Sequence, residues 1–174
     1  MKEAVIVSTA RTPIGRAFKG SLNNIKSPTM AGHAISHAVA RAGVERDEIE
    51  DVVLGSVLNA GTAGMNVARL SALAAGLPAT CAGQTIDRQC SSGLMAISIA
   101  AKQIMVDGFS VVVAGGQDNI SSVQGPYCEW AQRQQDEHGV AAQEGAYMPM
   151  LQTAEHVANK YGVTREQMDR YGLE

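Results

Sequence analysis

The stretch TIDRQCSSGLMA, Thr85–Ala96, decides how the chain is read. A β-like segment with polar flanks runs into Cys90, two serines and a glycine, and then into a long apolar segment. A structural cysteine would fit anywhere inside that apolar run. At the first turn of a helix it is a different chemical object. Unpaired N–H groups and the positive end of the helix dipole converge there, and negative charge at such a place gains about 0.3–1 kcal/mol. Reactive cysteines are found in such settings. The same N–H groups can face a carbonyl oxygen carried by the sulfur, as part of an oxyanion hole. Gly93 is expected to permit close approach of backbone or ligand. Spacing alone leaves two readings open, a nucleophile and a buried cysteine beside cap-forming serines. Arg88 is two residues away, but strand alternation does not show that it faces the sulfur.

Working outward, the segment Cys90–Asp107 carries Leu94, Met95, Ile97, Ile99, Ala101, Ile104 and Met105. A helix apolar nearly all round is expected to be buried, and Gly108 is expected to close it. FSVVVAGG, Phe109–Gly116, reads as a strand apolar on both faces. Upstream, EAVIVSTA (Glu3–Ala10), DVVLGSVL (Asp51–Leu58) and GQTIDRQ read as further strands. Between them lie two helices. One is capped by Ser27, has Pro28 at its first position and ends at Gly43. The other, Val67–Ala75, is capped by Asn66, with Gly76 and Pro78 past its end. The β-α-β-α-β-α-β order predicts an α/β fold, a mostly parallel sheet covered by crossover helices. After Gly116 the chain is polar, Gln-rich and weakly periodic. The expected division is a core lobe at 1–118 and the start of a loop subdomain at 119–174. A helix over about Gln152–Tyr161 stops at Gly162, and Thr164 with Gln167 forms a capping box for another. That last helix has a start signal and no stop, so a piece of a longer polypeptide, or a subunit of a split protein, is expected.

The chain has 174 residues, 45% hydrophobic, with 18 glycines and only 4% aromatics, so its core is built from small aliphatics packed closely. A net charge of -3 with no Lys/Arg cluster argues against a nucleic-acid partner. No apolar run approaches ~20 residues, so no membrane span is expected. The start MKEAVIVSTARTP lacks the parts of a secretory signal. Three cysteines, Cys81, Cys90 and Cys128, with no C-x-x-C, fit reduced thiols in the cytoplasm better than a disulfide framework or a zinc site.

The motifs RQCSSGLMA and VVVAGG, with EAVIVSTARTPIGR, DVVLGSVLNAG, ARLSALAAGLP and TAEHVANKYGVTREQMD, stand in the order found in thiolases. The chain resembles the N-terminal half of that family over essentially its whole length. The resemblance implies a thiolase-like N-terminal lobe. It also implies that Cys90 attacks an acyl-CoA thioester and carries the acyl group, and that its backbone N–H lies in an oxyanion hole. Coenzyme A and its thioesters are then substrates, and no other cofactor and no metal is expected. A homodimer or homotetramer of the full-length protein is expected as well. The family's GHP histidine and CxGGG cysteine do not occur in this sequence, so the chain alone is expected to be inactive. GHA at Gly32–Ala34 lies inside a predicted helix and lacks the proline.

Other polar residues have plainer readings. His33 and His37, spaced i, i+4, could hold a metal, but read as ordinary helix positions. His138 reads as solvent-exposed, and His156 is assigned no role. Cys81 and Cys128 read as bystanders. Asp87 and Arg88 fit strand-end polar contacts at least as well as a catalytic role. In YMPMLQTAEHVA, Pro149 and Met150 fall where acetoacetyl-CoA-forming thiolases carry His-Met and many degradative ones carry Pro-Met. Leu151 replaces the family's common glycine. The resemblance thus leans toward thiolytic cleavage of longer 3-ketoacyl-CoA substrates, with Pro149 and Met150 at the acyl site. The alternatives are a biosynthetic acetoacetyl-CoA thiolase, a related ketoacyl synthase, or a non-catalytic assembly module.

Overall fold

A computed structural model describes residues 2–174, except the side chains of Gln124 and Pro126. The chain divides into two compact units, one running to Tyr127 and one from Cys128 to Glu174.

The first unit is organised by one short strand. β1 (Asp51–Gly55) is buried at every position. It pairs in parallel with β2 (Ala82–Ile86) on one side and β3 (Val112–Gly116) on the other, giving the order β2-β1-β3. Side chains of a strand alternate between faces, and the DVVLG run serves two cores. Val52 and Leu54 face a layer built from α1 (Ser27–Ala42) and α2 (Val67–Ala74), with Ala31, Ile35, Val39, Ala68 and Ala72 in the same cluster. Val53 faces α3 (Ser92–Lys102) and packs with Ala96 and Ala100. The result is helices, sheet, helix. A strand enclosed on both faces needs an unbroken apolar run rather than an alternating one.

Local signals explain several boundaries. Asn66 caps α2, its Oδ1 accepting the Arg69 N–H at 3.1 Å, while its Nδ2 donates to the Gly83 carbonyl at 2.7 Å. One side chain thus fixes a helix start against the outer edge of β2. Gly43 and Gly108 take φ of 68° and 88° past the segments they end; an L side chain resists that region and glycine does not. Ser27 is the expected cap of α1, but Lys26 is the N-cap and Ser27 is the first helical residue. Its hydroxyl pairs with Thr62 Oγ1 at 3.1 Å instead, in a buried position. A long-range partner competes there with the local cap.

Three expectations are corrected. Glu3–Ala10 forms no strand, and Val5, Ile6 and Val7 are 70, 75 and 70% exposed. The segment borders a cavity of about 1200 Å³ whose other walls include α1, β3 and Ile97 of α3. A β-branched run becomes a strand only when an edge and a covering face accept it, and here the cavity separates it from both. The helix after Cys90 is not buried all round. Ser92, Ala96 and Ala100 are covered, whereas Leu94 is 71% exposed. One face has the sheet, and among the described residues of this unit no second layer covers the opposite face. Nor is the segment α-helical to Asp107: after Lys102 it continues as a π-turn, Gln103–Asp107. That turn sets Gln103 Nε2 at 2.7 Å from the buried Asp51 carboxylate.

The polar stretch after Gly116 is helical, with α4 (Ile120–Gln132) and α5 (Glu137–Ala142). In the second unit, α6 (Met150–Tyr161) ends at Gly162 with φ 66°. Thr164 and Gln167 form the expected capping box of α7 (Arg165–Leu173). Among the described residues no helix is long and apolar enough to cross a membrane.

Candidate active site

The carboxyl ends of the three strands point the same way, and the start of α3 is seated on them. Gly55 ends β1. A Cβ there would overlap the Ser92 carbonyl group and the Gly93 nitrogen. Gly116 ends β3. A Cβ there would lie 3.2 Å from Gly93 Cα and 3.3 Å from the Gly55 carbonyl oxygen. Bare backbone on the two strands thus lets the helix turn descend onto the sheet. Close approach is expected at Gly93, yet a Cβ on Gly93 would meet Gly116 only at 3.9 Å, an ordinary contact. Glycine is required on the strand side of the contact.

Between the end of β2 and α3, Asp87–Ser91 make the elbow that carries Cys90. Gln89 has φ 51°, a left-handed conformation that costs a residue with a side chain roughly 1–2 kcal/mol. Hydrogen bonds hold it there. Asp87 Oδ1 accepts the Gln89 N–H at 2.8 Å. The Ser92 hydroxyl accepts the Arg88 N–H at 2.8 Å and donates to the Gln89 carbonyl at 2.6 Å. Ser91 Oγ donates to the Arg88 carbonyl at 2.9 Å. The two serines are therefore elbow clamps rather than side-chain caps of α3, whose N-cap Ser91 makes no such bond. Asp87 makes the strand-end contact expected of it. The Arg88 side chain reaches along α3, with Nη1 3.8 Å from Met95 Sδ.

Cys90 sits at the crest of this turn and is exposed. Within this chain it is not a core residue. Cys81 is the buried thiol, 1% exposed in the core beneath α2, and Cys128 is intermediate. Burial, and next the Asp51 carboxylate, push the Cys81 thiol up, while Arg69 pulls it down. An exposed sulfur just ahead of a helix start, on a strained and cross-braced loop, has the kind of setting in which reactive cysteines occur.

A second brace, which the sequence reading missed, stands behind the elbow. Asp118 follows the glycine pair of β3, and its Oδ1 accepts the Val57 and Leu58 N–H groups at 3.0 Å each and lies 3.4 Å from Ser56 Oγ. Gln117 Nε2 donates to Ser56 Oγ at 3.0 Å. This ties the loop leaving β1 to the end of β3. A carboxylate just past an apolar strand ending in Gly-Gly is the available sequence signal, but its partners lie about 60 residues upstream and no local spacing points to them.

Pro149 and Met150 belong to the second unit, Cys90 to the first. Pro149 is the N-cap of α6, and its carbonyl accepts the Thr153 N–H at 3.0 Å. Met150 is 71% and Leu151 84% exposed. His138 and His156 are exposed. Among the described residues no three His, Cys, Asp or Glu side chains gather as they would around a metal.

Residues 4–174 match the thiolase N-terminal domain, and the chain belongs to the thiolase family. It is 40% identical to a 3-ketoacyl-CoA thiolase of Bacillus subtilis, across 99% of this chain and 44% of that protein. It is also 40% identical to an acetyl-CoA acetyltransferase of Cupriavidus necator, across 99% of this chain and 46% of that one. The crystal structure of the Bacillus anthracis acetyl-CoA acetyltransferase superimposes with a TM-score of 0.80 at 40% identity, covering 99% of this chain and 45% of the other. The chain thus spans less than half the length of these relatives.

Proposed function

We propose that this chain carries the nucleophile of an acyl-CoA C-acyltransferase that cleaves 3-ketoacyl-CoA by thiolysis, with Cys90 forming the acyl-enzyme. The observation that carries the reading is the exposed Cys90 sulfur on a braced elbow at the start of α3. The Cys90 thiolate adds to the 3-keto carbon. The C2–C3 bond then breaks, its electron pair leaves with the acetyl-CoA enolate, and that carbanion takes up a proton. The shortened acyl group stays on sulfur as a thioester. A second CoA thiolate attacks it, releasing acyl-CoA and restoring Cys90. Splitting carbon–carbon cleavage into two acyl transfers is what a thiolate nucleophile contributes. N–H groups at the elbow, that of Cys90 among them, stabilise the oxyanions formed on the way. The proton donor and acceptor would come from the histidine and second cysteine of the family motifs, which lie outside this sequence.

The degradative direction, as in fatty-acid β-oxidation, and a substrate longer than acetoacetyl-CoA are favoured by Pro149 and Met150. Proline lacks a donor, and methionine offers an adaptable apolar surface. The relatives bear both kinds of name, so acetoacetyl-CoA synthesis is the second reading. Three free thiols suit a reducing compartment such as the cytoplasm. By resemblance, the full-length protein would assemble as a homodimer or homotetramer and need no cofactor beyond CoA. The test is kcat/KM of the full-length protein with 3-ketoacyl-CoA substrates of graded length, with Cys90→Ser as the comparison. Loss of turnover and of acyl labelling in Cys90→Ser supports the nucleophile. Undiminished turnover in that variant rejects it, and an optimum at acetoacetyl-CoA with no turnover of longer chains rejects the chain-length assignment.

A further inference from the structure

The exposed side of α1 carries two imidazoles one turn apart. His33 and His37 have ring centroids 4.5 Å apart and an interplanar angle of 63°. We propose that they form a two-imidazole chelate for a late first-row divalent cation, of the Ni²⁺, Cu²⁺ and Zn²⁺ class.

The geometry fits. A metal–nitrogen bond is about 2.0–2.1 Å, so each ring centroid lies about 3.2 Å from a bound ion. Two such rings in adjacent positions at a right angle have centroids ~4.5 Å apart, which is the spacing already present. The i, i+4 spacing puts both side chains on one face of the helix, within reach of a shared ion once the rings turn from their present edge-to-face contact. The helix backbone is held fixed. Ala31, Ile35 and Val39 on the opposite side of α1 are buried in the core, and Gly43 ends the helix. Neighbouring i, i+4 positions on a rigid helix lose little freedom on binding a shared ion.

The surroundings set the class of ion. Ser27–Ala42 contains no Asp or Glu, so the donors are neutral nitrogens. Imidazole favours late transition metals over Mg²⁺ or Ca²⁺, which require oxygen. The Ser36 hydroxyl is committed to the His33 carbonyl at 2.9 Å. Arg41, one turn on, donates Nη1 to the Thr9 carbonyl at 2.8 Å, so its guanidinium is committed there. Two protein ligands leave the remaining positions to water or to a donor from another molecule. The site is independent of Cys90.

Ni²⁺, which does not oxidise thiols, is the probe. Calorimetric titration of the chain in a non-coordinating buffer is compared with His33→Gln, His37→Gln, the double variant, and a His138→Gln/His156→Gln control, each checked for unchanged circular dichroism. The expected result is a His-dependent site weakened about tenfold or more by either single substitution, because the second ligation is intramolecular. The double variant should be little worse than either single one, and the control unchanged. Ni²⁺ should also raise the unfolding midpoint of the wild type but not of the single variants. Equal binding by wild type and both single variants would overturn the proposal. So would half the stoichiometry lost with each histidine at unchanged affinity, which marks two separate imidazoles.

Discussion

Gly55 and Gly93 meet backbone to backbone, and no Cβ fits on Gly55 without overlapping the first turn of α3. The height of the Cys90 elbow above the sheet is therefore set by the absence of one methyl group. Gly55→Ala must push α3 outward or strain β1. Overpacking of this kind costs roughly 1–3 kcal/mol. The expected outcome is a lower unfolding midpoint together with a changed alkylation rate at Cys90. An unchanged rate in a folded variant would show that the elbow is positioned by other contacts.

Ser92 bridges both sides of the strained Gln89. Ser92→Ala leaves the Arg88 N–H without its side-chain partner and the Gln89 carbonyl with the Ser92 N–H alone, in a part-buried place, at a cost of about 0.5–1.5 kcal/mol. In the full-length protein, assayed for the proposed thiolysis, the expected signature is a fall in kcat with KM little changed. Gln89→Gly relieves the left-handed strain, so it should raise stability while loosening Cys90.

The three thiols should separate by exposure. Substoichiometric iodoacetamide followed by peptide mass analysis is expected to find Cys90 labelled first, Cys128 later and Cys81 only after unfolding. Preferential labelling of Cys81 or Cys128 with Cys90 untouched would remove the nucleophile assignment.

Cys81 gives a pH dependence with a definite sign. Its thiol is raised above the ordinary value of 9.0, first by burial and then by Asp51, so the folded chain holds that proton more tightly than the unfolded one. The contribution is fully present below that ordinary value and is lost as pH rises through the folded-state value. Urea midpoints of the wild type should decline above pH 9.0, and Cys81→Ala should decline less steeply over the same range.

Asp118 holds two backbone N–H groups of the loop after β1 and is itself exposed, so water can replace part of what it supplies. Asp118→Ala should cost about 1 kcal/mol, and Asp118→Asn, which keeps an acceptor oxygen, less. Hydrogen exchange at Val57 and Leu58 reads this directly, and unchanged protection in the alanine variant would count against the brace.

What could be read from the sequence was what local chemistry decides. Asn66, the Thr164–Gln167 pair, Gly108 and Gly162 act within a few residues, and each performs as its type and spacing imply. Parallel pairing followed from the alternation of elements. Cys90 could be placed at an elbow because glycine, serine and the change of periodicity coincide there. What stayed hidden depends on partners distant along the chain. Ser27 could cap its own helix but bonds Thr62, 35 residues on. Glu3–Ala10 has the composition of a strand and lacks an accepting edge. The exposed face of α3 is apolar, and composition alone does not say which apolar surface a neighbour covers. Asp118 and Gly55 were missed because a close approach between strand end and helix start is a property of three elements together.

The buried cluster of Asp51, Gln103 and Cys81 lies at the amino ends of the strands, while Gly55, Gly116 and the Cys90 elbow lie at their carboxyl ends. Three intervening residues of β1, Val52, Val53 and Leu54, separate these poles. Cement and chemistry can therefore be altered separately. Substitutions at the amino pole should move the melting temperature and leave the labelling rate of Cys90 alone, which makes that pole the place to strengthen the domain without retuning its thiol.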